Sequence, residues 1–317
     1  MTALNIGLEL ALLMVIGFFI RKIKLLPDNF ESSVSKLILN VTLPCLIIRS
    51  LNIEFDPSQL LRLVNTVLVS VGTIIFLFLL GQFGYYICRR SSTGRIVRFG
   101  VMFSNYTFVG VPMIETLYGS SGLFIFTIFT LPVRLIYYIS PQFLLRSKEA
   151  RRRAGGSGSV KDRLKGIFSP PIVSVLVGLV IYFCGIKLPY FVSEVVRMVA
   201  SVSSPLGMIV CGMILAQLDI KELLKSRRIL YLVASRLVIA PLVELLVLMV
   251  LGLDTELIKV AVIYAGLPTA SLLPTFALQY EDDPHSAVEG SVGVFLTTVL
   301  CIVTLPIWAA VVERVLG

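Results

Sequence analysis

Ser104, Asn105 and Thr107 stand ahead of the tripeptide Gly110-Val111-Pro112, and Thr269 and Ser271 follow Gly266-Leu267-Pro268. Asn40 lies one helical turn before Pro44, with Thr42 between them. All are neutral hydrogen-bonding side chains set in apolar sequence, and residues 99–118 and 260–280 contain no Lys or Arg. An asparagine brings two donors and an acceptor that no single helix satisfies, and buried polar groups require partners. A Ser or Thr can instead bond its own helix backbone. For Asn the competing role is to pin a broken helix to its neighbour. Proline removes a backbone donor and clashes with the preceding turn, so Gly-X-Pro is expected to interrupt a helix. Proline also favours the first turn of a helix. Pro112 and Pro268 are therefore expected to mark the N-terminal ends of two half-helices, each with free N–H groups and about half a positive charge. Such ends suit an anion. A carboxylate held by N–H groups, Asn and Thr is the expected occupant. The candidate substrate-binding set is Asn40, Asn105, Thr107, Gly110, Pro112, Pro268, Thr269 and Ser271, with Pro44 and Gly266 supporting the breaks.

The elements that position these residues are membrane helices. The chain has 317 residues, 56% of them hydrophobic and 15% charged, with a mean hydropathy of +0.92. That is too apolar for an ordinary soluble domain. A spanning helix needs roughly 20 mostly apolar residues. Ten stretches qualify, near 4–21, 31–51, 62–88, 97–118, 122–146, 169–185, 190–217, 228–252, 256–280 and 287–314. No cleavable leader is expected, because the basic cluster Arg21, Lys22 and Lys24 follows the first stretch rather than preceding it.

Four landmarks recur in the same order. Lys24-Leu25-Leu26-Pro27 is echoed by Lys187-Leu188-Pro189, and Leu43-Pro44 by Ser204-Pro205. The two Gly-X-Pro breaks come next, and Thr130-Leu131-Pro132 is echoed by Thr304-Leu305-Pro306. The order implies an internal repeat of about 160 residues. Five helices per half is an odd number, so the halves must lie in opposite orientations. The expected fold is all-α: ten transmembrane helices as two inverted five-helix repeats, with broken fourth and ninth helices crossing near the midplane. The first repeat covers 1–146 and the second 169–317. They are joined by a cytoplasmic linker, 147–168, that contains Arg151-Arg152-Arg153 and a Gly/Ser-rich run.

The net charge of +9 is distributed as membrane topology rather than as a nucleic-acid surface. Basic residues cluster after the first, third, fifth and seventh stretches, and the alternate loops hold few. That is the positive-inside pattern. It places both termini outside and residues 147–167 in the cytoplasm. Glu281, Asp282 and Asp283 after the ninth stretch depart from it, but acidic residues count little in this rule. Cys45, Cys88, Cys184, Cys211 and Cys301 are scattered, and His285 is the only histidine, so no metal site is expected. There is no Gly-rich phosphate loop, no nucleophile–base pair and no expected cofactor, which argues against an ATP-driven pump and against an enzyme. Glu9, Arg49, Glu115, Arg134, Arg236 and Glu244 fall in or near the stretches. Arg134 and Arg236 read as the deeper cations. A salt bridge or carbonyl contact is the expected role for Arg134, and guiding an anion the competing one.

Residues 105–119, Asn-Tyr-Thr-Phe-Val-Gly-Val-Pro-Met-Ile-Glu-Thr-Leu-Tyr-Gly, resemble the helix 4 motif of the auxin efflux carrier family. That family includes plant auxin exporters and bacterial dicarboxylate permeases. Leu267-Pro268, Pro274, Ala277 and Tyr280 resemble its helix 9 motif, which adds Pro274 to the supports of the break. Asn40 through Pro44 and Ser204-Pro205-Leu206 resemble its helix 2 and helix 7 signatures. The short central loop is similar to that of bacterial members. The resemblance implies a scaffold of helices 1, 2, 6 and 7 that also forms a homodimer, and a mobile domain of helices 3–5 and 8–10. The implied function is secondary transport of a small organic carboxylate across the plasma membrane, the inner membrane of a bacterium. The competing readings are a sodium-coupled organic anion symporter of the bile-acid type and a non-transporting membrane sensor. No nucleic-acid partner is expected.

Overall fold

A computed structural model describes residues 3–27, 30–52, 60–146, 170–216, 227–281, 283 and 285–317. The expected linker 147–168, and Lys221 and Lys225 of the basic loop after the seventh stretch, lie outside the described residues. Among the described residues every regular element is helical, and one β-bridge joins Ser104 to Thr269. In chain order the helices are α1 (Ala3–Lys22), α2 (Phe30–Leu37), α3 (Leu43–Leu51), α4 (Leu60–Ile87), α5 (Ser92–Met102), α6 (Val111–Ile139) and α7 (Pro141–Leu144). They continue with α8 (Pro170–Cys184), α9 (Tyr190–Ser201), α10 (Ser203–Leu215), α11 (Arg227–Ala234), α12 (Ala240–Val250), α13 (Thr255–Gly266), α14 (Leu273–Tyr280) and α15 (His285–Leu316).

Among the described residues six helical runs are long and apolar enough to cross a membrane: Ser33–Leu51, Leu60–Ile87, Tyr106–Tyr137, Tyr190–Val210, Arg228–Val250 and His285–Leu316. The first expected stretch is present as the 20-residue helix α1. α6 is itself bent at Gly119, whose φ of 61° and ψ of −152° are open to glycine and strained for other residues. The bend falls between the expected fourth and fifth stretches.

Among the described residues three π turns interrupt the long helices, and each ends two residues before a proline. Ile38–Thr42 precedes Pro44, Tyr106–Gly110 precedes Pro112, and Ser235–Ile239 precedes Pro241. A proline inside a helix withholds an N–H and crowds the carbonyl four residues back. A π turn carries one extra residue and widens the coil at that point, so the helix passes the proline without stopping.

The chain packs as two compact units, each assembled from separated segments. One comprises residues 1–68, 107–131 and 168–217, and the other 69–106, 132–167 and 218–317. In the first unit, α1 lies against α10 at reciprocal glycines. A Cβ added at Gly17 would sit 2.0 Å from the Ile209 carbonyl oxygen, and one at Gly212 would sit 1.9 Å from that of Met14. Small residues allow this close backbone approach, the usual way membrane helices gain van der Waals contact without a hydrophobic driving force. α3 packs against α8 and α9, the Arg49 guanidinium pairs with Glu115 at 3.2 Å, and Phe124 meets Tyr182.

In the second unit a cluster of Cys88, Val97, Val101, Ile229, Leu232 and Val292 joins α5, α11 and α15. Polar contacts bind the start of α5 to the residues around the start of α15. Arg95 makes a bidentate pair with Glu281, both distances 2.6 Å. Ser92 donates to Asp283 at 2.8 Å and Thr93 to Glu289 at 2.8 Å. The acidic turn that departs from the charge pattern is thus held at the same end of this unit as Arg95.

Candidate functional site

The two broken stretches meet in the second unit through their backbones. α5 ends at Met102 with Phe103 in extended conformation, φ −117° and ψ 131°. α13 ends at Gly266, and Leu267 is extended at ψ 149°. Leu267 precedes Pro268, and a residue before proline is driven out of the α region by the ring. The two extended segments then pair antiparallel: the Asn105 N–H donates to the Pro268 carbonyl at 2.8 Å, and the Ala270 N–H to the Phe103 carbonyl at 3.0 Å. Each supplies part of what the other's broken helix lacks.

Arg236 completes the junction. It lies on the π turn ahead of Pro241 and is 0% exposed. Its Nε and one terminal nitrogen donate to the Leu267 carbonyl at 3.1 and 3.0 Å. The same terminal nitrogen reaches the Tyr264 carbonyl at 3.1 Å, and the other reaches the Val101 carbonyl at 3.0 Å. The last carbonyls of a helix have no partner within it and carry the negative end of its dipole. One guanidinium therefore caps the C-terminal ends of α5 and α13 together. Its fixed fork of donors suits that task better than an ammonium would.

Thr269 adds a further tie. Its hydroxyl donates to the Gly100 carbonyl of α5 at 3.0 Å, and its N–H donates to the Thr297 hydroxyl at 3.1 Å. Both of its donors are spent inside the junction. The Arg134 guanidinium lies 5.4 Å over the ring of Tyr106. Arg134 is buried, so a cation stands one residue along from Asn105. An aromatic face is thus one of its contacts.

Of the residues singled out in the sequence, Asn105, Pro268 and Thr269 are brought together and buried. Gly266 precedes the junction and is buried, and Ser271 is half-buried after it. A Cβ on Gly266 would meet nothing closer than 3.5 Å, so close packing does not demand glycine there. In the first unit Thr107 is half-buried, and Gly110 and Pro112 are buried in the π turn and the first turn of α6. Asn40 is exposed in its own π turn, with its amide donating to the Lys36 carbonyl at 2.6 Å. Pro44 is half-buried at the start of α3.

The places of the breaks differ from the sequence expectation. The fourth stretch opens at Phe103–Asn105, ahead of Gly110-Val111-Pro112, because the π turn lets the helix run through Pro112. In the ninth stretch Pro268 lies in the extended segment, and Pro274 occupies the first turn of the following helix. Pro268 ends one helix, and Pro274 opens the next. Sequence reasoning noted Arg236 as a deep cation and gave it no role, and it passed over Thr297. The available signal was an arginine five residues before a proline inside an apolar span. Among the described residues no three of His, Cys, Asp and Glu gather where a metal ion would sit.

The family model described as membrane transport protein matches residues 6–309. The chain belongs to this family. It is the auxin efflux carrier family that the broken-helix motifs resemble. Relatives of this transporter span its whole length. It is 25% identical over 311 residues to an uncharacterized transporter of Methanothermobacter thermautotrophicus, covering 96% of each chain. It is 22% identical to the uncharacterized transporter YfdV of Escherichia coli K12, covering 95% of each. It is 20% identical to the uncharacterized transporter MJ1031 of Methanocaldococcus jannaschii, covering 97% of this chain and 98% of that one. This chain is thus a multi-pass membrane transporter, and the junction of its two broken stretches is the natural place to look for its substrate site.

Proposed function

We propose that this protein is a secondary active transporter that moves small organic carboxylate anions by alternating access. The substrate binds where the two broken stretches cross, and the ten stretches form two inverted five-helix repeats. The observation that carries this reading is the antiparallel pairing of residues 103–105 with 268–270 under the Arg236 clamp. Irregular backbone at membrane depth is tolerated where it is held by protein or lines a wet cavity. Two such breaks joined to each other are the usual architecture of a carrier site.

The charge of the cargo follows from the helix ends. Arg236 neutralises the negative ends of α5 and α13, while helices starting again after each break offer N–H groups and positive dipole. Arg134 adds a buried cation beside Tyr106. An anion is favoured on all three counts. Asn105 is the residue we expect to recognise a carboxylate, with Thr107 and Ser271 beside the breaks. Pro268 belongs to the proposed site as shape and support. Thr269 belongs to the frame in this conformation, and its hydroxyl becomes available to cargo only if the Gly100 contact opens. Both termini are proposed to lie outside, in a plasma-membrane protein that dimerises through its first, second, sixth and seventh stretches.

The test is uptake of a panel of labelled mono- and dicarboxylates into proteoliposomes, with sodium replaced by choline at fixed pH and ionic strength. We expect uptake of at least one carboxylate and no steep dependence on sodium, since Ser104, Asn105, Thr107, Thr269 and Ser271 are neutral and the positive helix ends offset the anion. A steep loss on replacement would assign the chain to the sodium-symporter class. Absence of uptake for every carboxylate, with binding of organic cations instead, would overturn the reading.

A further inference from the structure

Glu244 sits inside the apolar run Arg228–Val250, on α12, and is 5% exposed. An ionisable side chain at such depth is costly and generally has a function. Its hydrogen-bonding side chain is Thr73 of α4, through a short contact between Thr73 Oγ1 and a Glu244 carboxyl oxygen. Thr73 Oγ1 also lies 2.9 Å from the Val69 carbonyl, one turn earlier in its own helix. A hydroxyl has one proton and two acceptor positions, so it cannot donate to both oxygens. The contacts resolve into two complete arrangements. In one, a protonated carboxyl donates to Thr73, whose own proton goes to Val69. In the other, an ionised carboxylate accepts the Thr73 proton, and Val69 keeps its ordinary helical bond. The two differ by the rotation of one hydroxyl and the presence of one proton.

Among the described residues, no lysine or arginine makes an ion pair with Glu244. Among the described residues on the elements packed against α12, Arg236 on the preceding π turn gives its guanidinium to the Val101, Tyr264 and Leu267 carbonyls. On α13, Tyr264 lies close enough to Glu244 to feel its charge, Lys259 pairs with Glu313 at 3.0 Å, and Glu256 lies in the first turn. α4 contributes Thr73 itself, with Arg62 near one end and Tyr85 and Tyr86 near the other. A buried carboxyl without a cation partner takes up a proton rather than remain charged. When solvent reaches it, ionisation becomes affordable again.

We propose that Glu244 is the proton-binding site of the transport cycle, with Thr73 as its hydrogen-bond partner, taking up a proton from water before it is buried and releasing it to water when it is wetted again. This rests on the carrier reading above and adds a coupling ion to it. The proton moves between water and the carboxyl oxygen, and no other bond changes. Because Glu244 and Arg236 lie on one helical run, the protonation state is set on the same element that clamps the junction.

Two measurements on the full-length protein separate this from a permanently neutral structural glutamic acid. Infrared difference spectra between about pH 5 and about pH 9 need no substrate. The protonated-carboxyl C=O band is expected to fade as pH rises in the wild type and to be missing from the difference spectrum of Glu244→Gln. It is expected to fade at higher pH in Thr73→Val, whose carboxylate loses its donor. Circular dichroism and thermal melting verify that the variants fold. In proteoliposomes, a one-unit pH gradient should drive about tenfold accumulation of a transported carboxylate for one proton per substrate. Glu244→Gln should show less than about twofold while retaining substrate exchange without a gradient. A band that does not titrate, or that persists in Glu244→Gln, overturns the proposal, as does equal gradient stimulation of both proteins. If no carboxylate is taken up by any variant the carrier reading fails, and the infrared result still decides the fate of Glu244.

Discussion

Arg236 and Asn105 divide the work of the junction. Arg236 spends its donors on three main-chain carbonyls from two helices, so its role is to hold the frame. Each carbonyl stripped of its partner costs about 1–3 kcal/mol. A lysine keeps the charge but cannot fork across three acceptors. Arg236→Lys should therefore fold with a clearly lowered melting temperature and lose most uptake, measured by fluorescence-detected melting and proteoliposome flux. Asn105 behaves oppositely. Its contribution to the bridge is its backbone N–H, which an alanine retains. Asn105→Ala should therefore still fold, with the backbone bridge intact. A hydrogen bond to a charged group contributes roughly 1.5–3 kcal/mol, so carboxylate affinity should fall by about one to two orders of magnitude. Unchanged binding in that variant would assign Asn105 to pinning the helices.

At the scale of the element, prolines and glycines act in two distinct ways. Pro268 forces Leu267 into extended backbone and breaks a helix. Pro44, Pro112 and Pro241 each follow a π turn and leave the helix running. Whether a proline breaks or merely widens a helix depends on whether nearby groups take up the freed carbonyls. At Leu267 the Arg236 guanidinium does so. The glycines of α1 and α10 act through size. A side chain at Gly212 has no room beside the Met14 carbonyl. Overpacking of this kind costs typically 1–3 kcal/mol and more where backbone must move. Gly212→Leu should lower the melting temperature by several degrees, whereas Gly266→Ala, whose Cβ would make ordinary van der Waals contacts with Leu305 and Pro241, should be close to neutral. Parallel melting curves of the two variants test the contrast.

Across the whole molecule, the distribution of Lys and Arg predicts which loops share a side. Both termini are proposed to be outside and residues 147–167 in the cytoplasm. An impermeant thiol reagent applied to intact cells should leave a cysteine at Ser157 unlabelled and should label it after permeabilisation. Labelling from outside would overturn the topology and, with it, the inverted repeat. The Arg95–Glu281 pair bears on one departure from that pattern. An acidic turn packed against an arginine at one end of the second unit is explained by local pairing and requires no change in the direction of the chain. The compact units each draw on both sides of the linker. Sequence-contiguous repeats and spatially compact units are therefore different divisions of the same chain.

Much of this protein is written in local sequence. Runs of apolar residues fixed the helices because spanning a bilayer demands length and internal hydrogen bonding. Pro268 fixed the end of α13 because its ring acts on the residue immediately before it. Those effects have ranges of one residue to one turn, so they are legible without a structure. Which groups satisfy the broken ends is not a local matter. The pairing of Asn105 with Pro268, the reach of Arg236 to Val101 and the hydroxyl of Thr269 on Gly100 join residues more than 100 positions apart for Arg236–Val101 and Thr269–Gly100. The path through Pro112 also depended on tertiary structure, because a π turn and a chain break answer the same missing N–H equally well, and surrounding packing selects between them. Glu244 gave only a rare charge in an apolar run. Its partner, Thr73, lies 171 residues away, and folding alone brings a hydroxyl to that carboxyl.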